Sequence, residues 1–204
     1  MATEITYKGA VIAAPEGGQT VTLKCKGMKM SDDITVTAKN EEEYKAKIIE
    51  LIERTATEIT VPEGVTIIGD YAFSYYDNLL SVFLPESLIS IGGSALSHCS
   101  SLTSIIIPDS VTSIEKSTFY GCSSLTSITI PEGVTSIGNW AFERCSSLTS
   151  ITIPEGVTSI GDAAFRDCSS LTTINVPWAE GAVKGAPWGA ENATIYYNYV
   201  AEVE

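Results

Sequence analysis

Five cysteines and one histidine are the residues of this 204-residue chain with the greatest potential for nucleophilic or metal chemistry. Four of the cysteines follow one another at intervals of 23 residues: Cys99, Cys122, Cys145 and Cys168. Side chains on successive turns of a regular structure lie parallel, which rarely gives the Cβ geometry of a disulfide. No C-x-x-C pair or Cys/His cluster accompanies them, so the sequence does not indicate a zinc site. We predict a file of buried free thiols, and Cys25 has no evident partner.

The single histidine, His98, belongs to no recognisable catalytic motif. The chain also contains no G-x-S-x-G, P-loop, H-E-x-x-H or EF-hand pattern. We therefore predict that the protein is not an enzyme and has no cofactor and no metal. One alternative stays open, an enzyme or inhibitor whose site lies in the end segments. A deep pocket near Trp178 and Trp188 would favour that alternative.

The 23-residue interval between the cysteines is the period of a repeat that involves many other residues. The fold of this repeat must therefore position the cysteine side chains. Residues 125–147 and 148–170 differ only in a few residues after the central glycine. A period of this length is typical of a solenoid, in which each turn buries its apolar face against its neighbours. The chain contains five full turns, numbered 1 to 5, and a partial one: 56–78, 79–101, 102–124, 125–147, 148–170 and 171–177.

Each 23-residue turn has its apolar residues at fixed positions. Aliphatic residues at positions 4 and 6, with threonine between them in turns 1, 4 and 5, predict a short strand with one buried face. Proline at position 7 ends this strand because it has no N–H to donate. A second apolar pair follows at positions 10 and 13. Positions 17, 18 and 21 are Ala141, Phe142 and Cys145 in turn 4, and their spacing predicts one helical turn over the core.

The unit resembles the BspA-like, treponema-type leucine-rich repeat, L-x-x-I-x-I-P-x-x-V-x-x-I-x-x-x-A-F-x-x-C, over residues 56–177. Three departures are visible: Leu96 replaces Phe, Thr118 replaces Ala, and Tyr76 stands in place of Cys. The resemblance implies an α/β repeat fold, rich in β structure, built as a leucine-rich-repeat solenoid.

The end segments differ from the repeat. Residues 1–39 contain three predicted strands, ITYKGAVIA, QTVTLKC and DDITVTA, which would serve attachment or oligomerisation. Asn40 and the acids after it resemble a capping box, so we predict a helix over 40–55 that caps the first turn. A coiled-coil seam is the alternative for this helix, and a homotrimer formed through residues 1–55 is a further hypothesis. Residues 178–204 are predicted to form a C-terminal cap with a final strand, TIYYNYV.

Charge excludes several partners. With 12 basic and 25 acidic residues the net charge is −13, which argues against nucleic acid and against anionic membrane surfaces. No apolar run reaches 18 residues, so no membrane insertion is predicted, and the first residues predict no secretory signal.

The end segments also resemble phage and prophage tail-associated proteins of gut Firmicutes. That resemblance implies that the N-terminal strands attach the chain and that the repeats are displayed. We therefore predict a recognition or adhesion module that binds a protein or glycan on a cell surface. It would be the receptor-binding part of a phage tail in a virion, or alternatively an adhesin on a bacterial cell surface.

Positions 15, 16, 19 and 20 change from turn to turn, whereas the apolar positions scarcely change. This variation predicts that they face outward, although neutral drift explains it equally well. Their aromatic and basic members form a predicted recognition strip: Tyr71, Tyr75, His98, Tyr120, Trp140 and Arg144.

A second contact site is predicted at position 5, where Phe83 and Ile106 interrupt a row of polar residues, unless an end segment or a second subunit covers them. Position 8 is acidic in all five turns, and calcium binding there is a hypothesis that the sequence leaves open.

Overall fold

The structure, a computed structural model, describes residues 56–200 together with four strands near the N-terminus. The chain divides into two compact units, Met1–Arg54 and Thr55–Glu204. The repeats lie in the second of these units.

The first unit contains two antiparallel strand pairs. Strand β1 (Glu4–Tyr7) pairs with β2 (Ala10–Ala13), and β3 (Thr20–Leu23) pairs with β4 (Ile34–Thr37). The stretch ITYKGAVIA, predicted as one strand, therefore forms two, β1 and β2. The predicted helix over 40–55, its coiled-coil alternative and the proposed trimer contacts lie outside the described residues.

The second unit is a solenoid whose turns are joined by two parallel ladders. The first ladder, at positions 3–5, contains β5 (Glu58–Thr60), β7 (Ser81–Phe83), β11 (Ser150–Thr152), β13 (Thr173–Asn175) and the last strand, β14 (Thr194–Tyr196). Strand β5 pairs with β7, and β13 pairs with both β11 and β14. The equivalent segments of turns 3 and 4 are not strands.

The second ladder, at positions 12 and 13, was not anticipated from the sequence. It consists of two-residue strands in two parallel sheets. The first sheet pairs β6 (Ile67–Ile68) with β8 (Ser90–Ile91), and the second contains β9 (Ser113–Ile114), β10 (Ser136–Ile137) and β12 (Ser159–Ile160). Paired residues are one repeat apart, as in Ser136 opposite Ser159. The 23-residue sequence period is therefore the register of the ladders between the repeats, although not of the C-terminal pair β13 and β14. The predicted leucine-rich-repeat solenoid is confirmed.

All turns share one core. Leucine at position 1 and the aliphatic residues at positions 4, 6, 10 and 13 point inward and are buried in most turns. The rings of Phe119, Phe142 and Phe165 are fully buried and stack in a file, with centroids 5.4 and 5.6 Å apart. Trp188 lies edge-on to Phe165 at 6.4 Å and closes this file at the C-terminal end. No single turn could bury these side chains alone, so the turns stabilise one another.

Positions 14–21 do not form the predicted helical turn, and residues 56–200 contain no helix. The residues at positions 16 and 20 of every turn have positive φ, for example 59° at Tyr71 and 63° at Tyr75. An α-helix cannot pass through a residue in this left-handed region.

The left-handed residues give the segment an alternating hydrogen-bond pattern. N–H groups at positions 17, 19 and 21 donate within the turn, as from Ser74 to the carbonyl of Tyr71 at 3.0 Å. Those at positions 16, 18 and 20 donate to the next turn, as from Phe73 to the carbonyl of Ala95 at 2.8 Å. The segment therefore makes a third ladder between turns, on the side of the solenoid that carries the variable positions.

Candidate interaction surface

The variable strip, defined as positions 15, 16, 19 and 20 of turns 1 to 5, follows this third ladder. Tyr71, Tyr75 and Arg144 are exposed, and His98, Tyr120 and Trp140 are half-buried. The expectation that all four positions face outward is wrong at position 19 of two turns, because Ser97 and Glu143 are buried. The hydroxyl of Ser97 hydrogen-bonds that of Ser74 at 2.7 Å, and Glu143 pairs with Arg166.

Four of the predicted strip residues form a continuous row, which we call the aromatic ladder: Tyr75, His98, Tyr120 and Arg144. The rings of Tyr75 and His98 stack with centroids 4.4 Å apart, and His98 meets Tyr120 edge-on at 5.1 Å. The guanidinium of Arg144 lies 5.6 Å from the centroid of the Tyr120 ring, a cation–π contact. The ladder thus joins one side chain from each of turns 1 to 4.

Residues that the sequence prediction left out complete this surface. Asp167 of turn 5 lies 3.6 Å from Arg144 and extends the row by a further turn. Lys116 lies 4.8 Å from the ring centroid of Trp140, a second cation–π pair beside the ladder. Tyr71 stays exposed at the N-terminal end of the strip. Variation between turns identified the positions of Asp167 and Lys116. Only the charge of these two residues could have suggested that they contact Arg144 and Trp140.

Glu143 and Arg166 form an ion pair one turn apart within the strip. Glu143 is only 1% exposed, and its carboxylate accepts hydrogen bonds from Nε of Arg166 at 3.1 Å and from Nη2. The side-chain hydrogen bond with Glu143, followed by its negative charge, raises the pKa of the Arg166 guanidinium. A buried carboxylate needs such a partner. This pair therefore holds turns 4 and 5 together.

The backbone under the strip favours glycine, yet the chain places large side chains there. Of the ten residues at positions 16 and 20, all with positive φ, only Gly121 is a glycine. Holding another residue in this region costs about 1–2 kcal/mol each, and Tyr71, Trp140 and Arg144 gain no local hydrogen bond of the kind that Asn or Asp would gain. The chain therefore has large side chains at positions where the backbone conformation favours glycine, which indicates that these side chains have a function.

Gly121 makes room for the centre of the aromatic ladder. It has φ of +72°, and a Cβ there would lie 3.0 Å from Nδ1 and 3.3 Å from Cε1 of the His98 ring. We expect Gly121→Ala to lower the free energy of unfolding by about 1–2 kcal/mol through backbone strain and also to displace His98 from Tyr75. The measurement is guanidinium unfolding combined with the histidine ring NMR signals.

Gly64→Ala is the matched control for this prediction. Gly64 also has positive φ, +87°, but a Cβ there would meet no atom within 4 Å. Both variants carry the backbone strain, and only Gly121→Ala meets a ring. Unchanged His98 signals in Gly121→Ala would contradict the ladder geometry.

The strand face carries the second predicted site. Phe83 and Ile106 at position 5 are 54% and 85% exposed, as the prediction of an outward apolar spot requires. Sequence reasoning missed three further exposed aliphatic residues at positions where other turns have Thr or Ser: Ile67, Leu80 and Ile89. All five lie in turns 1 to 3. In turns 4 and 5 three threonines at positions 2 and 11 instead donate side-chain hydrogen bonds to carbonyls of the preceding turn, as from Thr158 to Thr135 at 3.3 Å.

A groove of about 690 Å³ lies between the strand face of turns 4 and 5 and the chain near Tyr199. Hydroxyl and carboxylate groups line much of it, including Thr129, Thr152, Glu132 and Glu155. Trp178 and Trp188, near which a deep pocket would have favoured an enzyme, do not line this groove. Trp188 is buried and donates its indole N–H to the carbonyl of Lys184 at 2.8 Å, and Trp178 packs against the core.

The described residues contain no group of three His, Cys, Asp or Glu side chains that could hold a metal ion. The acids at position 8 are exposed and lie one turn apart in a row, so the calcium hypothesis gains no support from this part of the chain.

The four repeated cysteines are free and buried, which confirms the predicted file of thiols. Each Sγ donates a hydrogen bond to the carbonyl of position 18 in the preceding turn, as from Cys145 to Phe119 at 3.2 Å. Cys99, Cys122 and Cys168 repeat this contact at 3.2, 3.2 and 3.0 Å. Burial is the main cause that raises the pKa of all four thiols, to about 12 for Cys99 and Cys168. They serve packing and ladder hydrogen bonds.

Parallel 23-residue turns around a shared leucine and isoleucine core define the class of leucine-rich-repeat solenoids. The model of the family described as "BspA type Leucine rich repeat region" matches residues 53–172 in six copies, and the chain belongs to this family. The resemblance seen in the sequence is confirmed. No curated protein matches.

Several solved structures of bacterial proteins are similar to this chain. A leucine rich cell surface protein of Faecalibacterium prausnitzii A2-165 is 38% identical, with a TM-score of 0.59, over 62% of this chain and 34% of its own. The leucine rich repeat protein of T. pallidum is 30% identical, with a TM-score of 0.64, over 71% of each chain. A leucine-rich repeat protein of Bacteroides ovatus is 31% identical, with a TM-score of 0.56, over 76% of this chain and 39% of its own.

The match thus spans about a third of the length of the Faecalibacterium protein. Within the described residues, no helix has the length and hydropathy that crossing a membrane requires.

Proposed function

We propose that the protein is a non-catalytic recognition module of a bacterial cell surface, and that it binds its partner through the variable strip. One observation carries the proposal: the repeat varies at the strip, where large aromatic and charged side chains occupy left-handed backbone positions that favour glycine. The inward positions are taken up by core packing. Repeat solenoids present extended surfaces for binding, and the similar Faecalibacterium protein is named as a cell surface protein.

Two other functions compete with this proposal. A receptor-binding role in a phage tail rests on the resemblance of the end segments, and the similar proteins described above give it no support. An enzyme or inhibitor site near Trp178 and Trp188 is disfavoured because Trp188 closes the core instead of opening a pocket. The absence of catalysis stays a prediction.

Binding of the fluorescently labelled full chain to immobilised cell-surface and extracellular-matrix extracts tests the recognition role. We expect the double variant Tyr75→Ala/Trp140→Ala to bind at least about tenfold more weakly, because tyrosine and tryptophan side chains contribute most of the binding free energy at many interfaces. The matched control, Phe83→Ser/Ile106→Thr on the strand face, should bind as the original chain does. Loss of binding in the control with retention in the strip variant would transfer the site to the strand face.

Antibody labelling separates the two locations. Antibodies against the solenoid should label intact, unlysed producing cells if the protein is displayed on the cell surface. Labelling confined to particles released by lysis would support the tail role instead.

A further inference from the structure

The strip and the strand face differ in their chemistry. Among the twenty residues at positions 15, 16, 19 and 20, only Ala163 is aliphatic, and the remainder are aromatic, charged, small polar or glycine. In or beside the two strand ladders of turns 1 to 3, four large aliphatic side chains and Phe83 are exposed. The central part of a protein–protein interface is usually apolar and depleted in charge. These apolar residues fit that description, whereas the strip combines aromatic rings, which interfaces also favour, with many charged and small polar groups.

The strip is also nearly neutral on an acidic solenoid. Its charged residues are three cations, Lys116, Arg144 and Arg166, and four acids, Asp70, Glu143, Asp162 and Asp167. The rest of residues 56–200 contains ten acids and one cation, Lys184. Within the described range, Arg144 and Arg166 each lie beside a carboxylate. The carboxylates beside these arginines offset their positive charge, and the surrounding acids give the solenoid a negative potential. An anionic ligand would therefore be repelled, whereas an uncharged ligand would not.

Aromatic rings beside planar polar side chains match the two surfaces of a pyranose sugar. One face of a pyranose ring presents C–H groups, which pack on an aromatic ring, and its rim carries hydroxyl groups. Pairs of adjacent hydroxyls hydrogen-bond to carboxylate, amide and guanidinium groups. The strip supplies the rings of Tyr71, Tyr75 and Trp140. One face of Tyr75 stacks on His98 and one face of Trp140 lies under Lys116, so the opposite face of each would pack on a sugar. Arg144 and Asp167 supply polar groups on the same side of the solenoid.

We propose that the strip binds an uncharged, extended glycan that runs along the solenoid axis, so that successive sugars contact successive turns. This inference rests on the proposed recognition function and names its ligand class. Parallel strands lie about 4.8 Å apart, so the strip repeats its contacts at this interval. A pyranose unit of an extended chain has a similar length, and a chain of five or six sugars would span the five turns.

The aromatic ladder prepares the strip for such a ligand. Tyr75, His98 and Tyr120 hold one another at 4.4 and 5.1 Å, and Arg144 is held between Tyr120 and Asp167. Side chains that are already ordered lose less conformational entropy on binding. The left-handed backbone, stabilised by hydrogen bonds from turn to turn, fixes the direction in which each side chain leaves the solenoid.

An array of neutral oligosaccharides whose internal sugars carry vicinal diols, such as cellohexaose and xylohexaose, tests the inference with the full chain. We expect at least one neutral hexasaccharide to bind, with affinity that increases from disaccharide to hexasaccharide as more turns are engaged. Hexagalacturonate, an anionic chain of similar length, should bind at least about tenfold more weakly than the neutral ligand, because it enters an acidic field. Isothermal titration calorimetry gives the affinities.

Matched tyrosine variants assign the site. Tyr75→Ala, on the strip, should weaken binding of the neutral hexasaccharide by about tenfold, the effect of losing one aromatic contact. Tyr196→Ala, on β14, removes a tyrosine of similar exposure, 53% against 58%, and should leave the affinity unchanged. Melting curves establish that both variants are folded. Equal losses in the two variants would place the sugar elsewhere and overturn the inference.

Two treatments of a target surface that binds the full chain distinguish failure of this inference from failure of the proposed function. Periodate, which cleaves vicinal diols, should abolish binding, and protease should leave it. Binding that survives periodate and is lost to protease would overturn the glycan inference while the recognition function stands. Absence of binding to every surface and every oligosaccharide would overturn both.

Discussion

Replacing Phe142 by alanine lowers the free energy of unfolding of the full chain by about 3–5 kcal/mol, the range for deleting a buried aromatic side chain. Phe142 is fully buried and occupies the middle of the phenylalanine file, between Phe119 and Phe165. The cavity would open in the centre of the core. The neighbouring rings are held by their own turns through ladder hydrogen bonds, so they cannot collapse into the space.

Guanidinium unfolding followed by circular dichroism measures this loss. Phe83→Ala is the matched control, because Phe83 is 54% exposed and its removal should change stability by less than about 0.5 kcal/mol. In a repeat protein each turn is stabilised mainly by its neighbours. Weakening turn 4 should therefore also broaden the transition or divide it in two. Equal effects of the two substitutions would contradict a single shared core.

The sequence was sufficient to predict the core because the repeat acts as its own alignment. Residues that recur at positions 1, 4, 6, 10, 13, 18 and 21 are those that must pack on identical neighbours one turn away. Leu125, Phe142 and Cys145 were all predicted inside and are fully buried. The proline at position 7 likewise marked the end of the first strand, as at Thr60 before Val61 and Pro62.

The backbone between positions 14 and 21 could not be predicted in the same way. The spacing of Ala141, Phe142 and Cys145 fits one turn of helix, but the hydrogen bonds that matter run between turns. Left-handed conformations depend on that tertiary pairing, since Tyr71, Trp140 and Arg144 have no intrinsic preference for positive φ. Gly121, His98 and Asp167 at position 20 were a weak signal, because Gly, Asp and His are enriched in this region.

The comparison of the turns with one another also predicted part of the interaction surface. Variation between turns identified the positions of Tyr75, His98, Tyr120 and Arg144, and the structure brings these four side chains together. The variation between turns could not indicate that the side chain of Glu143 points inward. Its burial depends on Arg166, and only turn 5 has an arginine in the position that pairs with it. A contact between turns depends on the residue at one position and on the residue 23 positions later. The identity of a single residue therefore does not predict that contact.

The four repeated thiols should resist alkylation in the folded protein by at least about a hundredfold relative to the unfolded chain. The thiolate is the reactive form, and raising the pKa from 9.0 to about 12 at Cys99 and Cys168 alone lowers its fraction at pH 8 by about a thousandfold. Burial adds a steric barrier. Mass spectrometry of iodoacetamide labelling, with and without guanidinium, measures the rates in a Cys25→Ser background. That substitution removes the one cysteine outside the described residues.

Stability against pH provides a second measure of the same protected thiols. Because the folded pKa of Cys99 and Cys168 lies above the unfolded value, the folded state holds their protons more tightly. Their contribution is complete below about pH 9 and is lost as the pH rises towards about 12, at about 1.4 kcal/mol per pH unit for each thiol. Cys99→Ala/Cys168→Ala should be less stable at pH 7 but lose stability less steeply above pH 9. Rapid native labelling, or identical slopes for the two chains, would show that these sulfur atoms are accessible and would contradict the stacked file.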